Sequence, residues 1–405
     1  MTRAAALPRS WGFAALLASL AMIGPFSIDL YLPAFPAIAQ GFDVAPIAVQ
    51  QTLSVYLFAY AGMMLWHGAL SDAFGRRPVV IGALCVYAFA TLGCAIAGNI
   101  QSLWLFRALQ GISAGGPLVV GRAVIRDRLH GADAQRLMSQ VTMVFGAAPA
   151  IAPIVGGILL NTLGWRAIFW VLLAFVIATI AWTARALDET LPKHVRQPLD
   201  ARRMWHNYVA VLTHRDFLML AAVPALNFAA FFIYVALAPT FLIDKLGVST
   251  WGFAVLFIPL IAGVMIGAAI SGRVAGLLTP SRTIDIGFMF MGGAALANVA
   301  ISAFAPPGVA WNIAPVAVFT IGSAMVTPSV TIMLLDLFPA TRGLASSLQG
   351  FVQFTLGGFN AGTIAPLLDA TLLTMALGMA AFTAASYAIW RLYRRAPVPS
   401  LPAAP

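Results

Sequence analysis

The sequence predicts an all-α integral membrane protein with twelve transmembrane helices arranged as two halves of six. Of its 405 residues, 61% are hydrophobic and only 9% are charged, which leaves too little polar surface for a soluble protein of this size. Apolar runs of about 20 residues recur along the chain, and each is long enough to cross a bilayer core of about 30 Å as a helix. The longest polar stretch, at 187–207, separates six runs from six.

The apolar runs define the expected spans and domains. The spans lie near 11–38, 48–70, 79–98, 102–124, 138–160, 166–186, 217–241, 251–277, 284–304, 313–335, 344–367 and 371–392. We therefore expect an N-terminal half at 1–186, a cytoplasmic linker at 187–215, a C-terminal half at 216–393 and a Pro-rich cytoplasmic tail at 394–405.

The basic residues indicate the orientation, because Lys and Arg of short loops are retained on the cytoplasmic side. With both termini inside, only Arg166 and Lys245 fall in outer loops, and the other basic loop residues lie on the cytoplasmic side. The net charge of +10 follows from this bias. No basic patch with interleaved aromatic residues indicates a nucleic-acid partner.

A single carboxylate, Asp29, interrupts the first apolar run. An aspartate near the middle of a membrane helix costs roughly 2.5–3.5 kcal/mol and usually faces a cavity where it has a function. The alternative is a polar cap at the outer end of a short first helix, although apolar residues continue to Ile38. A cavity carboxyl can alternate between its charged and neutral forms, which would link proton exchange to the side that the cavity faces.

Arg107, in "LFRALQGISAGG" (105–116), lies within the fourth span at a depth similar to that of Asp29. A guanidinium inside a membrane has to pair or line water, although snorkelling to the outer headgroups is the alternative. A nearby cation favours the charged form of a carboxyl, so a change in the distance between them would change proton affinity. Near the predicted cytoplasmic helix ends, Asp285 and Asp336 are expected to pair with Arg282 and Arg342.

The turn "GALSDAFGRRP" (68–78) joins the second and third spans. We expect Gly68 and Gly75 to permit close helix approach and a tight turn, and Asp72 and Arg76 to form charge-assisted bonds between helix ends. An ordinary positive-inside turn is the alternative. The order of Gly, Asp, Gly, Arg76 and Arg77 resembles the signature between spans two and three of the major facilitator superfamily. That resemblance implies a cytoplasmic gate latch.

The fifth span contains "FGAAPAIAPIVGG" (145–157), which resembles the antiporter signature of the drug exporters of that superfamily. The match consists of Pro149, Pro153, Gly156 and Gly157, with Ala152 in place of the usual glycine. Close neighbours let membrane helices tolerate such Pro and Gly residues, so a kink used only for packing is the alternative. With "DLYLPAFP", "GRAVIRDR", "GWRAIFWV" and "LDETL", the pattern over residues 10–392 resembles the bicyclomycin and chloramphenicol resistance subfamily, Bcr/CflA.

The resemblance implies a proton-driven drug exporter in a bacterial inner membrane, with Asp29 as the proton-binding group. Some related exporters carry a second acid one or two turns earlier, where this chain has none between Ala21 and Phe26. We therefore expect a low proton stoichiometry and neutral or zwitterionic substrates. The lipid bilayer, protons and a small molecule are the expected partners of a functional monomer.

A drug cavity needs aromatic and flexible apolar walls with a few polar groups. The candidates on spans expected to face inward are Tyr31, Tyr56, Tyr60, Met143, Asn227, Phe231, Tyr234, Gln353 and Asn360. Packing between helices is the alternative role for each of them.

Other classes of protein find little support. The five histidines fall in loops or interfaces without metal-ligand spacing, and no Gly-rich phosphate loop followed by Lys is present. The sequence therefore predicts no metal, no cofactor, no ATP drive and no enzyme. A symporter that imports a small metabolite on the same fold is the second functional hypothesis, because Ala152 weakens the antiporter signature.

Overall fold

The computed structural model describes residues 11–129, 131–339 and 341–395; within them, the side chains of 11, 131–136, 139, 142–147, 150 and 203 lie outside the described part. The described chain is helical, apart from one isolated β-bridge between Ala275 and Leu278. A bilayer favours this architecture, because a spanning helix satisfies its own backbone hydrogen bonds.

The helices follow the apolar runs. The first eight are α1 (Trp11–Asp29), α2 (Phe35–Phe42), α3 (Pro46–Phe74), α4 (Arg76–Ala95), α5 (Ile100–Arg128), α6 (Gly131–Leu163), α7 (Trp165–Ala186) and α8 (Ala201–Leu212). The others are α9 (Arg215–Ala236), α10 (Ala254–Val274), α11 (Pro280–Phe304), α12 (Val309–Asp336), α13 (Arg342–Phe359), α14 (Ala365–Leu368) and α15 (Leu372–Arg395).

Within the described residues, ten segments are long and apolar enough to cross a membrane. They coincide with ten of the twelve predicted spans. The other two predicted spans fall on α6 and α13. In α6 the apolar segment Ile151–Leu163 follows residues whose side chains mostly lie outside the described part, and α13 continues through a π-helical turn at Asn360–Ile364. The all-helical membrane fold is confirmed, and the count of twelve stays a prediction.

The first predicted span is interrupted directly after Asp29. Residues 30–31 form a turn, Leu32–Ala34 form one 3₁₀ turn, and α2 begins at Phe35. Pro33 explains the break, because its ring would clash with the carbonyl of the residue four positions earlier, Asp29, and it has no N–H to donate. The acid therefore lies at a helix end instead of inside a continuous helix.

The described residues form two compact units. The first contains the chain up to Asp200 together with Ala238–Ile261, and α3 packs along α5 in it while α1 packs along α6. The second contains Ala201–Leu237 and the chain from Ala262, and α11 packs along α12 in it while α9 packs along α15. The predicted linker at 187–215 is thus divided between the units, and the predicted division into halves stays a prediction.

Candidate functional site

Arg107 lies at the centre of a buried polar network in the first unit. Its side chain is fully buried, and Nη1 donates to the Ser27 carbonyl at 3.0 Å and to Gln110 Oε1 at 2.8 Å. The guanidinium lies 4.9 Å from the Tyr31 ring centroid and 4.4 Å from that of Tyr56. Burial excludes the alternative that Arg107 snorkels to the outer headgroups.

The network closes into a ring through three helices. Gln110 Nε2 donates to Thr91 Oγ1 at 2.8 Å, and Thr91 Oγ1 donates to the Tyr87 carbonyl at 2.7 Å. The Tyr87 hydroxyl bonds to Ser27 Oγ, and the Ser27 carbonyl accepts from Arg107. Since each member holds the next, the arginine is fixed relative to α1, α4 and α5. The sequence motif contained Gln110, but the other partners come from distant helices and had no signal of their own.

Asp29 is buried, with 5% of its surface exposed, and is the one buried carboxylate among the described residues. No hydrogen bond or ion pair to its carboxyl group occurs within the described part of the chain, and Arg107 does not pair with it. Arg107 instead binds the backbone carbonyl of Ser27, two residues earlier. Arg107 therefore contacts the backbone of α1 close to the acid, as the similar depths predict, but it does not contact the Asp29 side chain.

The predicted antiporter motif on α6 packs against the chain where α1 ends, directly after Asp29. A Cβ atom at Gly156 of α6 would overlap the carbonyl oxygen of Leu30, so only glycine lets α6 approach this closely. A Cβ at Gly157 would lie 2.8 Å from the Thr250 carbonyl oxygen. Pro153 is buried and Pro149 half-buried, and α6 continues through both. The motif thus packs against the residue that follows the acid.

The turn between α3 and α4 carries an ion-paired cluster around Arg76. Gly75 has φ +103°, which favours glycine. Arg76 Nη1 contacts Asp72 Oδ1 at 2.5 Å, and Nε contacts Asp127 Oδ2 of α5 at 3.0 Å. The interaction expected between Asp72 and Arg76 is present, and Asp127 is a partner that the sequence reasoning missed.

The segment 187–197, called here the strap, folds back onto this turn. Glu189 Oε1 accepts from the backbone N–H of Arg76 at 2.9 Å, and Arg196 Nη2 lies 3.5 Å from Glu189 Oε2. The N–H of Gln197 donates to the Asp72 carbonyl at 3.2 Å. The strap begins with the "LDETL" that contributes to the family resemblance, and sequence spacing gives no sign of its contact with the turn.

Two predicted gate residues, Gly68 and Arg77, do not take part in the ion-paired cluster around Arg76. A Cβ at Gly68 would meet no described atom within 4 Å, so the close helix approach expected at Gly68 is wrong for the described part of the chain. Its carbonyl accepts from Ser71 Oγ at 2.9 Å instead. Arg77 donates to the Ala184 carbonyl of α7 at 2.6 Å, which ties α4 to α7 and leaves Arg77 outside the Arg76 ion pairs.

Of the two ion pairs expected at helix ends in the second unit, one is present and the other is replaced by a different pair. Arg342 Nη2 contacts Asp336 Oδ1 at 3.1 Å, as expected. Asp285 pairs with Arg394 and accepts from Trp390 Nε1 at 2.8 Å, not from Arg282. The error arises because Arg282 is close to Asp285 in sequence, whereas Arg394 is brought there by α15.

The aromatic cavity candidates of the first unit lie at or next to Arg107. Tyr31 and Tyr56 contact its guanidinium, and Tyr31 also bonds to Thr52 Oγ1 at 2.9 Å. Tyr60 stacks on Tyr56 with ring centroids 6.0 Å apart. These three residues are brought together, and the side chain of Met143 lies outside the described part of the chain.

The candidates of the second unit are polar groups and rings among α9, α11 and α13. Tyr234 OH accepts from Asn298 Nδ2 at 2.6 Å, and Asn360 Nδ2 donates to the Ala229 carbonyl at 2.8 Å. Asn227 is fully buried, and its amide atoms have no hydrogen-bond partner among the described groups. Phe231 and Gln353 are half-buried. Asn298 was missed by the sequence reasoning.

Ten described segments long enough to span a membrane, with a buried acid and a buried arginine among them, define a polytopic membrane protein with polar groups inside its helices. Over the described chain, no group of three or more His, Cys, Asp or Glu side chains could hold a metal ion. The family model of the Major Facilitator Superfamily matches residues 17–362. The chain belongs to this superfamily.

Three relatives match nearly the whole chain. The uncharacterized MFS-type transporter YdgK of Bacillus subtilis is 30% identical over 91% of this chain and 93% of its own length. A bicyclomycin resistance protein homolog of Haemophilus influenzae is 27% identical over 91% and 92%. A chloramphenicol resistance protein of Pseudomonas aeruginosa is 28% identical over 89% and 85%. The resemblance to the bicyclomycin and chloramphenicol resistance subfamily is confirmed, and the protein is a transporter and not an enzyme.

Proposed function

We propose that the protein is a proton-driven antiporter that exports small amphipathic drugs or related metabolites from the cytoplasm by alternating access. In this proposal it works as a monomer with twelve spans in two pseudo-symmetric halves. Both termini lie on the cytoplasmic side of a bacterial inner membrane. Relatives named for bicyclomycin and chloramphenicol resistance support the class of substrate.

Two helical segments supply the eleventh and twelfth crossings in this proposal. Helix α6 has 33 residues, which corresponds to about 50 Å at 1.5 Å per residue and exceeds the hydrocarbon thickness. The path from α13 through the π-helical turn to Leu368 is also helical. The described part of α6 at Ile151–Leu163 is itself apolar, as a membrane crossing requires.

The proposal of proton coupling rests on one observation, the buried Asp29 carboxyl without a partner among the described residues. A buried charge is costly unless it is paired, and Asp29 has no partner among the described residues. A group in this position is suited to binding a proton when its surroundings are closed and releasing it when they open to water. Its location at a helix end also lets a small backbone change alter its surroundings.

Arg107 supplies a fixed positive charge in this scheme. The closed ring of hydrogen bonds and the two tyrosine rings hold the guanidinium in place. Asp29 is the last residue of α1, and Gly156 of α6 packs against the backbone of the next residue, Leu30. A movement of α6 would therefore change the distance between acid and arginine, and with it the proton affinity of the acid.

The Arg76 cluster serves as the cytoplasmic latch in the proposed cycle. Arg76 joins the end of α3, the start of α4 and the end of α5 through Asp72 and Asp127. Opening the cytoplasmic side would separate these helix ends and break both bonds. The largely buried Arg76–Asp127 bond is worth about 1.5–3 kcal/mol, and the half-exposed Asp72 pair contributes less. The latch thus stabilises the closed cytoplasmic side.

The test of the proposed function uses inverted membrane vesicles with an acidified lumen. Adding a transported phenicol, sulfonamide or bicyclomycin to the outside should release protons from the lumen, and vesicles without the protein should not respond. A symporter would carry protons in the same direction as the substrate, so the lumen would not lose protons. A susceptibility screen of cells that overproduce the protein identifies the drug to use; no protection and no proton release across the panel would contradict drug export.

A further inference from the structure

A groove runs along the surface of the second unit between α11 and α15. Its volume is about 410 Å³. Its floor is made of small residues, Gly292 and Ala295 of α11 and Ala380 and Ala384 of α15. Among the described residues, nothing lies within 4 Å of a Cβ atom built at Gly292, so the space above this glycine is open.

The rim of the groove consists of apolar side chains that face the surroundings of the helices. Met289 and Leu296 line it and are 76% and 72% exposed. Both helices are long and apolar enough to cross a membrane, so the material outside this rim is lipid. An acyl chain matches such a surface, because it fills the space above small residues without requiring a hydrogen bond.

The groove has one polar end, where basic side chains gather. Asp285 and Tyr387 line this end. Arg391 Nη1 donates to the Tyr387 hydroxyl at 2.9 Å, and Arg394 pairs with Asp285. Arg282 is exposed one turn before Asp285 on α11. Within the described chain, Asp285 is the one carboxylate that lines the groove, and Arg391 and Arg394 lie beside its polar end.

The length of the groove corresponds to one leaflet. From Asp285 to Leu296 the rise along α11 is about 16 Å at 1.5 Å per residue, which is about half of the roughly 30 Å hydrocarbon core. The basic end lies on the cytoplasmic side in the topology proposed above. Basic pockets between spans on that side bind anionic headgroups.

We propose that this groove is a binding site for an anionic phospholipid of the cytoplasmic leaflet, with one acyl chain above Gly292 and its phosphate beside Arg391 and Arg282. Tyr387 positions Arg391, and the ion pair with Asp285 holds Arg394 across the end of the groove. The assignment to the cytoplasmic leaflet rests on the orientation proposed above. Lipid binding is measured without transport, so a failure of the lipid site can be distinguished from a failure of the proposed function.

The acyl-chain part is tested with Gly292→Leu, which fills the groove, and its neighbour Gly293→Leu as the matched control. A Cβ at Gly293 also meets none of the described atoms within 4 Å, but this residue does not line the groove. Both purified proteins are titrated with phosphatidylglycerol, and retained lipid is counted by native mass spectrometry. Gly292→Leu should lose the retained lipid and Gly293→Leu should keep it; equal retention, or equal loss, would overturn the acyl-chain site.

The headgroup part is tested with Arg391→Gln, with Arg273→Gln at the exposed end of α10 as the control. Affinity for phosphatidylglycerol should fall about fivefold in Arg391→Gln and stay unchanged in Arg273→Gln, since one basic residue near an anionic surface contributes about that factor. Phosphatidylcholine should bind the wild type more weakly than phosphatidylglycerol. If the two lipids bind the wild type equally, or if both variants lose affinity alike, the proposed headgroup site is wrong.

Discussion

Replacing Gly156 by alanine tests the contact that joins α6 to the break after Asp29. The added Cβ would overlap the Leu30 carbonyl oxygen and lie 3.0 Å from its carbonyl carbon. Both atoms belong to the backbone, so no rotamer change relieves the overlap and either α6 or the chain at Leu30 has to move. Overpacking of this kind costs about 1–3 kcal/mol, which exceeds or equals the gain of about 1 kcal/mol from replacing glycine in a helix.

Gly62→Ala on α3 is the matched control, because no described group lies within 4 Å of a Cβ at Gly62. This variant has the helix-propensity gain without the overlap. We expect Gly156→Ala to be less stable than Gly62→Ala by about 1–3 kcal/mol, which corresponds to about 2–4 °C in Tm for each kcal/mol in a unit of this size. Thermal unfolding of the purified proteins in one detergent measures the difference. Equal Tm values would refute the close approach of α6 to Leu30.

Two further substitutions test the buried network and the strap. Arg107→Lys should lower the free energy of unfolding by about 1.5–3 kcal/mol, because lysine cannot reproduce both hydrogen bonds and both ring contacts; an unchanged Tm would contradict this. Glu189→Ala should speed trypsin cleavage after Lys193 and Arg196, since the strap loses its bond to the α3–α4 turn. Asp188→Ala is its control, because the Asp188 side chain is 89% exposed and such pairs contribute little. Equal cleavage of the two variants would count against the strap.

The sequence predicted the elements that depend on local composition. Apolar runs of the right length gave the spans, and the Gly75 turn was expected because glycine adopts its positive φ. The break after Asp29 could also have been predicted, since Pro33 stands four residues later and excludes a continuous helix. Leu30 and Leu32 continue the apolar run, and this favoured the prediction of one continuous span.

The sequence predicted which residues belong to the candidate site, but it did not predict which of them form hydrogen bonds or ion pairs with each other. Asp29 and Arg107 were identified from charge inside apolar runs, but their depths alone could not reveal that Arg107 binds the Ser27 carbonyl. Asp127 and Glu189 reach Arg76 from 51 and 113 residues away. Such partners depend on how helices rotate and pack, and a single sequence carries no periodic signal for them.

Asp29→Asn in vesicles with an imposed pH gradient tests proton coupling most directly. The amide is nearly isosteric with the carboxyl and cannot exchange the proton, and no partner of Asp29 among the described residues is lost. We expect unchanged stability, retained exchange of labelled drug across the membrane, and no proton release when drug is added.

Asp43→Asn is the control for this measurement, because Asp43 is an exposed carboxylate at the end of α2. It should keep the proton release of the wild type. If Asp29→Asn releases protons as the wild type does, the coupling carboxyl is a different group and the account of Asp29 is wrong.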